Sequence, residues 1–118
     1  MKRNLALTLL IVYAGLIAFL SLAPKGPVDV GEFDKSAHFL SYTVFALIAS
    51  LLRLPTRRFM VLCGGIVLYS GLMEFGQSFV PNREMSFLDF VANSMGVVVG
   101  YLASSWLARR AGSTSAPL

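Results

Sequence analysis

Polar side chains occur at helical spacing inside strongly apolar stretches of this sequence. Glu74 and Gln77 are three residues apart, and Asp89 and Asn93 are four residues apart. Residues at these spacings lie on one face of an α-helix. An ionisable side chain inside an apolar stretch is costly without a partner, and such residues usually serve a function. The two faces are therefore candidates for ligand binding or for proton transfer.

A third group of polar residues precedes them in the chain. Asp34, His38 and Tyr42 follow one another at intervals of four, so they form one stripe along a helix. Lys35 lies beside this stripe, and Arg83 lies in the short turn between the other two groups. The candidate ligand-binding residues are Asp34, Lys35, His38, Tyr42, Glu74, Gln77, Arg83, Asp89 and Asn93.

Several of these residues also have a simpler structural interpretation. Ser86-x-x-Asp89 matches a capping box, and Asp34 fits the N-cap of its helix. Lys35 and Arg83 could extend toward lipid phosphates instead of a site. With one histidine and scattered carboxylates the sequence has no recognisable metal-ligand spacing, so no metal site is predicted.

Glu74 is the residue that a structural role explains least well. It precedes the end of its apolar stretch by about five residues, near a helix C-terminus, where the helix dipole disfavours an anion. It therefore needs a positive or hydrogen-bond-donating neighbour. We predict a hydrogen bond between Glu74 and at least one of four residues: His38, Lys35, Arg83 or Asn93.

The elements that position these residues are predicted to be membrane helices. The chain of 118 residues is 56% hydrophobic and 14% charged, whereas about a quarter of the residues in a soluble domain are charged. Four apolar blocks, at about residues 5–22, 36–52, 59–80 and 87–107, are each close to the roughly 20 residues that cross a bilayer. We predict an all-α fold, a four-helix transmembrane bundle that forms one domain over residues 1–110, with residues 111–118 as a disordered tail.

Basic residues predict the orientation of this bundle. In a four-span arrangement seven of the ten Lys and Arg residues fall on one side: Lys2, Arg3, Arg53, Arg57, Arg58, Arg109 and Arg110. The positive-inside rule then places both termini in the cytoplasm and the polar groups at the outer ends of the helices. The first block resembles a signal peptide, but its length and the following Pro24 oppose cleavage.

Glycine spacing, the single cysteine and the scattered basic residues allow three further predictions. Gly96 and Gly100 have the four-residue spacing of a close-packed helix seam in a membrane. Cys63 is the only cysteine, which excludes a disulfide within the chain. The scattered basic residues do not form a nucleic-acid-binding patch, so no nucleic-acid partner is expected.

Three motifs in this order resemble the VanZ-like membrane proteins. They are Asp34-Lys35-x-x-His38-Phe39-x-x-Tyr42, then Glu74-x-x-Gln77-x-Phe79-x-Pro81-x-Arg83, then Ser86-x-x-Asp89-x-x-x-Asn93-x-x-Gly96-x-x-x-Gly100. The resemblance covers about residues 33–103. It implies a bacterial integral membrane protein of the cell envelope. The namesake of this family is associated with low-level resistance to the glycopeptide antibiotic teicoplanin.

Several functional hypotheses follow. In the leading one, an outward-facing pocket in the cell membrane binds the headgroup of a lipid-linked cell-wall precursor or a phospholipid, and a link to glycopeptide resistance is open. Lys35 and Arg83 would hold the anionic group. In the second, a membrane-embedded enzyme acts on a lipid-linked substrate, with His38 or Glu74 as general base and Arg83 as charge stabiliser. In the third, the polar residues only lock helices together. Transport is a further hypothesis, and a chain of this size would need to form an oligomer for it. No cofactor is expected.

Overall fold

The computed structural model of the protein is all-helical in the part that it describes. It describes residues 2–24, 32–81 and 83–112, without the side chains of residues 32–34 and 112. Four helices are present: α1 (Arg3–Leu22), α2 (Glu32–Ser50), α3 (Thr56–Gln77) and α4 (Phe87–Gly112). The predicted all-α fold with four helices is confirmed. The side chain of Asp34, and residues 25 and 113–118, which carry parts of the orientation and tail predictions, lie outside the described residues.

The helix boundaries differ from the apolar blocks at several ends. Helix α2 begins at Glu32, before its apolar block, since its first turn is polar and was not counted in that block. Asp34 therefore lies inside the helix, and the prediction that it is the N-cap is wrong. After α2 the backbone of Arg53 adopts the left-handed conformation with φ 53°, which is typical of a helix C-terminus. Helix α4 continues through Ala111 to Gly112, two residues that were assigned to the tail.

Helices α1 and α3 run parallel to each other. The Tyr69 hydroxyl donates a hydrogen bond to the Ala14 carbonyl oxygen. Further along both helices, Gln77 Nε2 donates to the Ser21 carbonyl oxygen at 3.1 Å. From the first contact to the second, the residue number increases in α1 and also in α3. The two helices therefore run in the same direction, and their C-termini lie at the same end of the bundle.

Helices α2 and α4 are also parallel and pack very closely. A Cβ atom placed on Gly96 would overlap the carbonyl oxygen of Phe39. A Cβ on Gly100 would lie 2.6 Å from the carbonyl oxygen of Thr43 and 2.7 Å from the Ala46 Cβ. Only glycine allows the two backbones to approach this far. The predicted Gly96–Gly100 packing seam is therefore confirmed, and α2 is the helix that it contacts.

The last two helices form an antiparallel hairpin. Phe59 at the start of α3 stacks on Tyr101 near the end of α4, at 5.3 Å between ring centroids. Phe90 at the start of α4 lies against Gly71 near the end of α3.

The directions of the four helices define two ends of the bundle. We call the end that contains the C-termini of α1 and α3 and the N-termini of α2 and α4 the polar end. We call the opposite end, with Arg57 and Arg109, the arginine end.

Helix α2 forms the centre of the bundle. Tyr42, Phe45, Ala46 and Ala49 are all buried, and their spacing follows one face of the helix. The other helices leave many large apolar side chains on the surface, such as Ile11, which is 68% exposed. A bilayer rather than water suits such a surface.

Three helices are long and apolar enough to cross a membrane: Arg3–Leu22, Thr56–Gln77 and Phe87–Ala111. Helix α2, with 19 residues, is the shorter fourth, and Asp34, Lys35 and His38 lower the hydropathy of its first turns. Its central position explains how a more polar helix is accommodated, since protein rather than lipid surrounds much of it. Together with the exposed apolar surface, these helices identify a membrane protein.

Candidate functional site

The site is built around the N-terminus of α4. The Ser86 hydroxyl oxygen accepts a hydrogen bond from the Asp89 backbone N–H at 3.2 Å, so Ser86 is the N-cap. In a capping box, the Asp89 carboxylate would accept the Ser86 backbone N–H in return. Here that N–H donates to Glu74 Oε1 of α3 instead, at 3.2 Å. The Asp89 carboxylate therefore faces other groups.

This arrangement corrects the expectation that a structural role explains Glu74 poorly, since the carboxylate caps a helix. The side chain is only 3% exposed and lies near the C-terminus of its own helix. It caps the neighbouring helix, whose N-terminal dipole favours an anion. The predicted hydrogen bond to His38, Lys35, Arg83 or Asn93 stays a prediction, although the structure does place Glu74 close to His38.

The imidazole of His38 lies across the face of α4 that Asp89 and Asn93 share. His38 Nδ1 is 3.1 Å from Asn93 Oδ1, and Asn93 is 1% exposed. Because an amide oxygen only accepts, Nδ1 is the nitrogen that donates a proton in this contact. His38 Nε2 then faces Asp89 Oδ2, 3.9 Å away. A ligand atom of each of His38, Glu74 and Asp89 lies within 4.8 Å of the other two.

Tyr42 lies one helical turn after His38 on α2, farther from the polar end of the bundle. It is 2% exposed, and its hydroxyl has no hydrogen-bond partner among the described residues. The hydroxyl is within electrostatic range of Glu74 and Tyr69. A buried hydroxyl without a partner costs about 1–3 kcal/mol, so proteins rarely keep one without a reason.

We call this set of residues from three helices the polar cluster: His38, Tyr42, Glu74, Asp89 and Asn93. Helix α2 contributes two members, α3 one and α4 two. The cluster combines an imidazole, two carboxylates, an amide and a phenol. Chemically, such a set can bind hydrogen-bond donors or a cation, or transfer a proton through the imidazole.

Two of the candidate residues point elsewhere, to the C-terminus of α1. Arg83 Nε donates to the Ala23 carbonyl oxygen at 2.8 Å, and Arg83 Nη2 donates to the Leu20 carbonyl oxygen at 2.7 Å. Gln77 Nε2 donates to Ser21 in the same turn. The last carbonyls of a helix lack partners in their own helix, and a cation there also complements the dipole. Arg83 and Gln77 thus join α1 to the α3–α4 hairpin.

The two remaining candidates, Lys35 and Asp34, have no described contact with the polar cluster. Lys35 is exposed, three residues before His38 on α2. The side chain of Asp34 lies outside the described part of the chain. Ser86 is the residue whose contribution the sequence reasoning missed, because its backbone N–H, rather than its side chain, contacts Glu74.

A family model described as VanZ/LLP1 matches residues 3–108. The chain belongs to this family. The match includes all of α1, whose last turn Arg83 and Gln77 hold, as well as the polar cluster. No curated protein matches the chain, and no solved structure matches it either.

Proposed function

We propose that this VanZ/LLP1-family membrane protein acts in the bacterial cell envelope and binds the headgroup of an envelope lipid at the polar end of the bundle. The lipid would be a lipid-linked cell-wall precursor or a phospholipid. Family membership supports a role in the envelope. The polar cluster is the part of the described structure that supports headgroup binding.

The observation that carries the proposal is the buried hydroxyl of Tyr42. Polar residues that only lock helices together usually satisfy one another's hydrogen bonds. Tyr42 is 2% exposed and has no such partner among the described residues. Above it, His38 and Asp89 are 14% and 13% exposed, so the cluster is reachable from the polar end. A ligand entering there would supply the missing partner.

The chemistry of the cluster indicates which part of a headgroup it would hold. Its carboxylates and amide oxygen favour hydrogen-bond donors such as sugar hydroxyls, amide N–H groups or an ammonium. An anionic phosphate needs a cation instead, and Arg83 is engaged by α1 carbonyl oxygens. We assign the phosphate to Lys35, which is exposed and lies one turn before His38.

Binding to purified protein tests the proposal. Native mass spectrometry of the full chain in detergent would compare a polyprenyl-pyrophosphate-linked disaccharide-peptide with phosphatidylglycerol. Tyr42→Phe removes only the hydroxyl, so we expect about threefold to tenfold weaker binding with a free energy of unfolding changed by less than about 1 kcal/mol. Preference for one lipid identifies the source of the headgroup.

Tyr13→Phe is the matched control. The Tyr13 hydroxyl donates to the Ser41 carbonyl oxygen at 2.7 Å, outside the polar cluster. This change should lower the stability by about 1 kcal/mol and leave lipid binding unchanged. Equal lipid binding by wild type and Tyr42→Phe would contradict the proposal and favour the helix-locking hypothesis.

The same experiment separates binding from catalysis. The pair of His38 Nε2 and Asp89 Oδ2, 3.9 Å apart, is the observation that favours an enzyme with His38 as general base. Release of a product from the lipid substrate, lost in His38→Ala, would establish that alternative. To act as the charge stabiliser, Arg83 would have to leave the α1 carbonyl oxygens that its guanidinium contacts.

Glycopeptide resistance is a further part of the proposal that cells can test. A protein that binds a lipid-linked cell-wall precursor would compete with a glycopeptide for it or alter its presentation. Expression in a susceptible bacterium should then raise the inhibitory concentration of teicoplanin, and Tyr42→Phe at equal protein level should reduce this effect. An unchanged inhibitory concentration would remove resistance from the proposed function.

A further inference from the structure

Three acceptor atoms converge in the polar cluster from three different helices. They are one ring nitrogen of His38 and one carboxylate oxygen each from Glu74 and Asp89, and each lies within 4.8 Å of the others. Of the two ring nitrogens, Nε2 is the one that faces Asp89 Oδ2, at 3.9 Å. With Nδ1 donating to Asn93, the neutral imidazole presents Nε2 as a lone pair. An imidazole nitrogen and two carboxylate oxygens are atoms of the kinds that coordinate metal ions in proteins.

We propose that His38, Glu74 and Asp89 bind a divalent transition-metal ion of the zinc class. This inference goes beyond headgroup binding and does not depend on it. One imidazole nitrogen with two carboxylate oxygens is a ligand set that suits zinc and its neighbours better than magnesium or calcium, which prefer oxygen alone. Three protein ligands leave one position open, as in catalytic zinc sites.

The distances are compatible with such an ion. Ligand atoms about 2.0–2.2 Å from zinc lie roughly 3–4 Å from one another in a tetrahedral site. His38 Nε2 and Asp89 Oδ2 are already 3.9 Å apart. Small side-chain rotations would bring the three atoms, now within 4.8 Å, to coordination distance.

Two features around the ligands support a metal over a lone proton. Metal-binding histidines nearly always donate their second ring nitrogen to an oxygen acceptor, and Asn93 Oδ1 accepts from His38 Nδ1 at 3.1 Å. Independently, the Tyr42 hydroxyl is 2% exposed, lies within electrostatic range of Glu74 and has no partner among the described residues. When no headgroup is bound, a water at the open position of the ion would supply a partner for this hydroxyl.

This site could not be predicted from the sequence because its ligands are far apart in the chain. His38 and Glu74 are separated by most of α2 and α3, and no short ligand motif is present. Asp89 matches a capping box, a role that its carboxylate leaves to Glu74 in the structure. Only the packing of the three helices brings the ligands together.

Cobalt binding tests the proposal directly, without any lipid ligand. The full chain in detergent would be stripped with a chelator and titrated with Co²⁺, which reports its coordination by visible absorption. We expect one Co²⁺ per chain, displaced by Zn²⁺ but not by equimolar Mg²⁺. Asp89→Asn and His38→Gln should each weaken binding by at least about tenfold.

Glu84→Gln is the matched control, because Glu84 is an exposed carboxylate in the same connecting turn. It should bind Co²⁺ as wild type does. Thermal unfolding with and without Zn²⁺ shows that each variant is folded, and a bound ion should raise the melting temperature of wild type but not of Asp89→Asn. Failure of folded wild type to bind one equivalent, or equal losses in Glu84→Gln and Asp89→Asn, would overturn the proposal.

Discussion

The Glu74 carboxylate accepts a hydrogen bond from the backbone N–H of Ser86, 3.2 Å away. One buried side chain of α3 therefore satisfies the N-cap residue of α4 and holds the two ends of the hairpin together. When the carboxylate is ionised this hydrogen bond is charge-assisted, and the partial positive charge at the N-terminus of α4 favours the ionised form. Glu74 thus has a structural partner and also belongs to the polar cluster.

The change Glu74→Gln separates these two roles. Glutamine keeps an oxygen that can accept the Ser86 N–H, but it loses the negative charge. We expect the free energy of unfolding to fall by about 1 kcal/mol, the difference between a charge-assisted and a neutral hydrogen bond. Lipid binding should be lost almost completely. Thermal unfolding and lipid binding of the same preparation would measure both effects.

Ser86→Ala is the control for the structural role alone. It removes the hydroxyl that accepts the Asp89 N–H but keeps the backbone N–H that contacts Glu74. Its loss of stability should also be about 1 kcal/mol, with lipid binding retained. If Glu74→Gln keeps lipid binding in proportion to its amount of folded protein, Glu74 has only a structural role.

The second prediction concerns the contact between α2 and α4. Gly96→Ala places a methyl group where the Phe39 carbonyl oxygen lies, so the two helices must move apart. We expect a loss of about 1–3 kcal/mol, measured by thermal unfolding in detergent. The movement should also weaken lipid binding, because His38 and Asn93 are held across the same interface.

Gly64→Ala is the matched control for this change. A methyl group at Gly64 would meet no atom within 4 Å, and alanine is the better helix former by about 1 kcal/mol. Gly64→Ala should therefore leave the stability unchanged or raise it. Equal melting temperatures for Gly96→Ala and Gly64→Ala would show that the seam does not pack as described.

Much of this architecture could be predicted from the sequence. Apolar length indicates helices because a bilayer requires about 20 residues per span, and the spacing of Gly96 and Gly100 indicates a close contact. The short turn before α4 also predicts that Glu74 and Asp89 lie at the same end. Backbone partners could not be predicted. Every residue but proline carries the same N–H, so nothing in the sequence marks Ser86 as the partner of Glu74.

The role of Arg83 was missed for the same reason. Its partners are the carbonyl oxygens of Leu20 and Ala23, which no side-chain pattern reveals. Its place in a polar turn resembled a site for an anionic ligand. The structure shows that the guanidinium and Gln77 together complete the end of α1, and a part of either residue in ligand binding stays a prediction.

The third prediction follows from this contact. Arg83→Lys keeps the charge but cannot donate two hydrogen bonds in the fork geometry of arginine. We expect the free energy of unfolding to fall by about 1–3 kcal/mol, because at least one of the two charged hydrogen bonds to the α1 carbonyl oxygens is lost. Faster hydrogen exchange in the last turn of α1 would locate the effect there.

Arg58→Lys provides the comparison at the arginine end, where the side chain is exposed. It should change stability by less than about 0.5 kcal/mol. If Arg83→Lys and Arg58→Lys are equally mild, the two hydrogen bonds of Arg83 contribute little to the bundle.

The last prediction concerns orientation in the membrane. The charge distribution predicts that the arginine end, with both termini, faces the cytoplasm and that the polar end faces outward. In a Cys63→Ala background, a single cysteine would be placed at Glu84, near the polar end, or at Arg57, at the arginine end. Both positions are exposed, so a difference in labelling reports the side of the membrane and not burial. An impermeant thiol reagent added to intact cells should label Glu84→Cys, and it should label Arg57→Cys only after the cells are permeabilised. The reverse pattern would put the polar cluster on the cytoplasmic side, where a lipid-linked precursor is met before it crosses the membrane.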